Sequence, residues 1–197
     1  MAHEKNSKNH EIFFSCEKKN EGLGLKLCNK LTTQLGLKIW TACINAKSVE
    51  KPLPLVKKAI NSSQIFLCGM TVKYTETKEC IDEITMANEI GLPGVIILME
   101  PTMPHNFPGL SFTSNWPKIK MYEDLDDMAK WTGPNYDILV EKIMEALNRA
   151  FNKPGGDRSE LDELFHEMQS SLDKFYEKVS QPLAPFSFFK FFILIFY

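Results

Sequence analysis

Four short runs rich in branched and aromatic residues stand along the chain, with few polar residues within them. They are Glu11-Ile12-Phe13-Phe14-Ser15-Cys16, Leu37-Lys38-Ile39-Trp40-Thr41-Ala42-Cys43, Gln64-Ile65-Phe66-Leu67-Cys68-Gly69-Met70 and Gly94-Val95-Ile96-Ile97-Leu98-Met99. A strand with one wetted face alternates apolar and polar residues, whereas a run apolar at nearly every position suits a strand covered on both faces. Between these runs the period changes. Leu23, Leu27, Leu31 and Leu35 recur every four residues, which predicts a helix ended by Gly36. Leu55 to Asn61 reads as a short helix. Residues 78–90 read as a longer one, closed by Gly91-Leu92-Pro93, with Ile81, Ile84, Ala87 and either Ile90 or Met86 inward. A weak strand near Lys118–Tyr122 and an amphipathic helix at Tyr136–Phe151 follow a Pro-rich loop. Strands alternating with helices predict βαβ units and a mainly parallel α/β sheet.

The expected organisation is a leader at residues 1–10, an α/β domain at 11–152 and a linker at 153–157 containing Lys153-Pro154-Gly155-Gly156. A helix at 158–180 and an apolar tail at 181–197 complete it. In that helix Leu161, Phe165, Met168, Leu172, Phe175 and Val179 form an a/d seam, which suits packing on its own domain or self-association. The tail is shorter than the roughly 20 residues of a bilayer span. It leaves contact with a membrane surface as one option.

The 197 residues suffice for one domain with a real core. A net charge of −2 without a basic block argues against a nucleic-acid partner. Five scattered cysteines, none in a CxxC pair, and four lone histidines give no support for a metal site; they fit a reduced cytoplasmic setting. The polar start MAHEKNSKNH lacks the apolar core of a secretory signal. Several motifs are missing from the loops where an α/β sheet binds ligands: GxGxxG after the first strand, GxxxxGK[ST], a GxSxG elbow, and an aspartate at the end of the third strand. Ordinary dinucleotide-binding, P-loop, hydrolase and phospho-acceptor sites are thereby excluded as far as motifs go.

What remains is the block Ala59-Ile60-Asn61-Ser62-Ser63, the third strand, and Tyr74-Thr75-Glu76-Thr77-Lys78-Glu79-Cys80-Ile81-Asp82-Glu83. It resembles the Toll/interleukin-1 receptor (TIR) domain, whose pattern runs from an aI-x-x-S element through a strand to Y-x-x-S-x-x-C-x-x-E. Tyr74, Cys80 and Glu83 match in spacing, and Thr77 replaces the serine. Ile12-Phe13-Phe14-Ser15 resembles the family's first-strand box and Ile39-Trp40 the start of its second, so the resemblance spans about residues 11–125.

The resemblance implies a flavodoxin-like α/β fold, a mostly parallel five-stranded sheet flanked by helices. It also implies a signalling role of the kind found in innate immunity. Many TIR domains are scaffolds that assemble with other TIR domains, and others hydrolyse NAD to nicotinamide and ADP-ribose or its cyclic form. In those enzymes the glutamate of C-x-x-E is catalytic, which corresponds to Glu83. NAD is then a substrate, no further cofactor or metal is implied, and a homo-oligomer is expected. Ser15, Glu17, Lys18, Trp40, Lys47, Thr77 and Cys80 fall where substrate contacts are implied. Trp40 also suits the core, and Glu17, Lys18 and Lys47 also suit solvated charges. Two departures favour a non-catalytic adaptor instead: Glu79 stands where active members often carry Trp, and the loop Ala42 to Pro54 carries Pro52 and Pro54 instead of the usual aspartate and glycines.

Overall fold

A computed structural model describes residues 10–41, 53–102, 113–124 and 133–151, together with eight positions between 163 and 174. Five strands make one sheet: β1 (Ile12–Cys16), β2 (Ile39–Thr41), β3 (Ile65–Met70), β4 (Gly94–Leu98) and β5 (Lys118–Ile119). Their order is β2-β1-β3-β4-β5, and every pairing is parallel. Parallel neighbours need crossovers. These are supplied by α1 (Glu21–Leu35) after β1, by α2 (Leu53–Asn61) before β3, and by α3 (Val72–Glu76) with α4 (Lys78–Glu89) between β3 and β4. Helix α5 (Pro134–Phe151) follows β5.

The unalternating apolar runs are explained by the two layers that cover the sheet. Side chains along a strand point to opposite faces in turn. Ile12, Phe14 and Cys16 of β1, Ile65 and Leu67 of β3, and Val95 and Ile97 of β4 join one apolar cluster with α1 and α5. Phe13, Phe66, Cys68, Met70, Ile96 and Leu98 join a second cluster with α2, α3 and α4. The fold is therefore a three-layer α/β sandwich, with the central strands dry on both sides.

Gly36 ends α1 in the left-handed conformation, at φ 71°, and its amide reaches the Thr32 carbonyl at 2.9 Å. Helical residues near 163–174 pack back onto this region. Leu164 and Met168 are buried in the cluster that holds α1 and α5. Among the seam positions, Leu161, Phe165, Leu172, Phe175 and Val179 lie outside the described residues, as do the leader, the linker and the tail. Among the described residues no helix is long and apolar enough to cross a membrane.

At two places the structure departs from the sequence expectations, and at a third it decides between two of them. β2 begins at Ile39, two residues later than expected, and Ala42 and Cys43 lie outside the described residues. The expected strand near 118–122 is only Lys118–Ile119, and a 3-10 turn takes Met121–Asp124. Ile90 is the C-cap of α4 and is 49% exposed, so Met86, partly buried, holds the inward position.

Candidate functional site: a buried carboxylate between the sheet and a cleft

Helix α4 buries Cys80, Glu83, Ile84 and Ala87 on one face. Glu83 thus occupies a position where helical periodicity calls for an apolar side chain. It is 3% exposed. A carboxylate taken out of water costs several kcal/mol unless donors replace the lost hydration.

The sheet supplies the donor. The parallel register of β1 and β3 places Ser15 beside Cys68, both on the face covered by α3 and α4. Ser15 Oγ donates to Glu83 Oε2 at 2.5 Å, a short hydrogen bond. Tyr74, wholly buried, brings its hydroxyl to 2.8 Å from the same Ser15 Oγ. Among the described residues no buried side-chain nitrogen or oxygen lacks a hydrogen-bond partner.

Tyr74 is held by a short helix. Thr71 caps α3, its hydroxyl accepting from the Tyr74 amide at 3.0 Å. Glu100, just past β4, accepts from the Val72 amide. Cys68 lies within hydrogen-bonding reach of Tyr74, and burial pushes its thiol far above the ordinary range. Burial also raises the Tyr74 phenol well above its usual value, aided by the neighbouring Cys68, Cys80 and Glu83. Both groups keep their protons at neutral pH, so Cys68 is no thiolate nucleophile.

On the other side of Glu83 a cleft of about 40 Å³ opens between α2 and α4, lined by Leu53, Val56, Glu79, Asp82, Glu83 and Met86. At roughly 15 Å³ per water position it has room for two or three waters. Sites that enclose whole ligands run to about 300 Å³ and more. In this form the cleft reaches the carboxylate and is too small for a dinucleotide.

Of the residues singled out from sequence, Ser15, Cys80 and Glu83 come together. Thr77 is close in sequence and serves the backbone. It stands extended between α3 and α4 (φ −91°, ψ 115°), and its hydroxyl donates to the Lys73 carbonyl at 2.7 Å. Glu17 is buried and accepts from Asn20 Nδ2 at 3.0 Å, so it is not a solvated charge. Lys18 is exposed in the 3-10 turn after β1. Trp40 is 4% exposed and stacks on Phe13 with ring centroids 4.9 Å apart, which makes it core and not a stacking surface at a rim. Lys47 lies outside the described residues. Two members of the cluster were not singled out as site residues, Tyr74 and Cys68. Their signal is the register of β1 against β3, which a sequence does not print.

No family model matches the chain. No curated protein sequence matches it. Among solved structures it is similar to the TIR domains in a structure of the activated Roq1 resistosome directly recognizing the pathogen effector XopQ. The two are 18% identical, with 85% of this chain and 99% of that chain covered and a TM-score of 0.41.

Proposed function

We propose that the chain is a TIR-type signalling module in which Glu83 supports hydrolysis of NAD to nicotinamide and ADP-ribose, or its cyclic form, on self-assembly. The observation that carries the reading is Glu83 itself. It is a carboxylate at a core position of α4, held by Ser15 at 2.5 Å and lining a cleft. The spacing of Tyr74, Cys80 and Glu83, and the first-strand box ending at Ser15, support the family assignment.

The chemistry asks little else of the protein. The pyridinium of NAD is already a cationic leaving group, so its departure needs no general acid. As the glycosidic bond breaks, positive charge develops on the ribose. A carboxylate that is already oriented stabilises that charge and accepts from ribose hydroxyls without reorganising at the moment of reaction.

The test is nicotinamide release from NAD by the purified full chain over a range of protein concentrations. Wild type turns NAD over, and Glu83→Ala loses about 10²–10³ in rate. Equal turnover by the variant removes Glu83 from catalysis.

The size of the cleft favours a second reading, a non-catalytic adaptor that acts by homotypic association with other TIR domains. Its signature is unchanged NAD at every concentration, together with concentration-dependent co-assembly.

A further inference from the structure

We propose that Tyr74 is a positioning residue for Glu83, acting through Ser15 as the middle link of a one-way chain of hydrogen bonds. The direction follows from elementary bookkeeping. An ionised carboxylate only accepts, and a serine hydroxyl has one proton to give. Ser15 gives that proton to Glu83 Oε2. In the 2.8 Å contact between Ser15 Oγ and Tyr74 Oη, the phenol is therefore the donor. Burial raises the phenol well above its usual range, so it keeps its proton at neutral pH.

The chain links three segments, β1, α3 and α4, which are 59 and 68 positions apart from Ser15. Donation by Tyr74 polarises the Ser15 hydroxyl and strengthens its donation to the carboxylate. It also takes up a lone pair of Ser15 Oγ, which leaves that hydroxyl fewer alternative rotamers. Both effects favour the charged form of Glu83 in one orientation, with Oε2 turned to the sheet.

Tyr74 is the strongest neutral donor among the titratable groups described around Ser15 and Glu83. The titratable neighbours that face the carboxylate from the packed elements are Cys68 of β3, Tyr74 of α3 and Cys80 of α4, with Glu79 and Asp82 lining the cleft. The thiols are weak donors and the two acids are no donors when ionised, while α2 presents Leu53 and Val56.

The consequence for turnover rests on the NAD reading above; the positioning itself does not. Tyr74→Phe keeps the ring that fills the core and removes only the hydroxyl. Glu83 is titrated by the ¹³C signal of its carboxyl carbon, assigned by its loss in Glu83→Gln. In Tyr74→Phe the carboxyl titrates at higher pH than in wild type, and in Ser15→Ala higher still. Adding Tyr74→Phe to Ser15→Ala moves it no further, because the link is already cut. Ile84→Val, on the same face of α4, loosens packing and leaves the titration where it was. With NAD as substrate, Tyr74→Phe lowers kcat about two- to fivefold with KM nearly unchanged.

An unmoved titration in Tyr74→Phe, or a full additional shift in the double variant, overturns the proposal. A wild-type protein that leaves NAD intact overturns the enzymatic reading alone, since the carboxyl titration still reports on Tyr74.

Discussion

Charge placement at single residues carries most of what is unusual in this molecule. Glu83 is the extreme case, and Glu11 is a milder one at the start of β1. The Glu11 carboxylate accepts from the Lys38 amide at 2.5 Å and is half-buried. Burial raises its pKa above the ordinary value, outweighing the Lys38 amide and the Lys38 charge, which pull the other way. The folded protein therefore holds this proton to higher pH than the unfolded chain does. Between the ordinary value of 4.5 and the raised folded value, stability falls as pH rises. Glu11→Gln keeps an acceptor for Lys38 and removes the titration. Thermal melts should coincide for wild type and variant near pH 4, with the variant gaining relative stability toward pH 7. A wild-type melting curve that gains on the variant across that interval contradicts this.

Sequence reading reached Glu83, Ser15 and Cys80 because each sits at a fixed offset within a short motif. It left Trp40 open between core and rim and allowed Glu17 as a solvated charge, because exposure is decided by layers that come from elsewhere in the chain. Trp40 is covered by Phe13 from the neighbouring strand. Tyr74 stood inside the quoted motif, yet its partner is 59 positions away.

At the scale of elements, what was legible is what repeats. β1, β3 and β4 were visible because both faces of each are buried, and α1 and α5 because their apolar stripes run for 15 and 18 residues. α3 was not, since five residues are too few to show a period. Its existence depends on capping by Thr71 and on Glu100, which reaches the Val72 amide from beyond β4. Ser63, the serine of the motif after α2, likewise serves a terminus, with its hydroxyl donating to the Ala59 carbonyl at 2.9 Å.

Caps of this kind make a quantitative prediction at the end of α1. Gly36 stands at φ 71°, and a Cβ there meets Ser171 Oγ at 2.9 Å. Gly36→Ala should cost about 1–2 kcal/mol from the left-handed backbone alone, and more if Ser171 does not yield. Urea denaturation of the two proteins measures it, and a variant as stable as wild type refutes the assigned cap.

Across the whole molecule, the two apolar clusters divide the labour. The cluster with α1 and α5 also takes in Leu164 and Met168 from the C-terminal helical residues. The cluster with α2, α3 and α4 borders the carboxylate. Met168 is buried against the first cluster, so Met168→Ala should destabilise the domain by about 2–5 kcal/mol. Differential scanning calorimetry should show one transition moved to lower temperature. An unchanged melting temperature would mean that the C-terminal helix contributes nothing to the fold of the sheet, as expected of a separate association element.

The one-way run of hydrogen bonds from Tyr74 through Ser15 to Glu83 crosses from the third crossover of the sheet, between β3 and β4, to its first strand and back. No fragment of the chain shorter than the span from position 15 to position 83 contains all three groups. The three groups therefore meet only through long-range assembly: parting β1 from β3, or unwinding the five residues of α3, separates them.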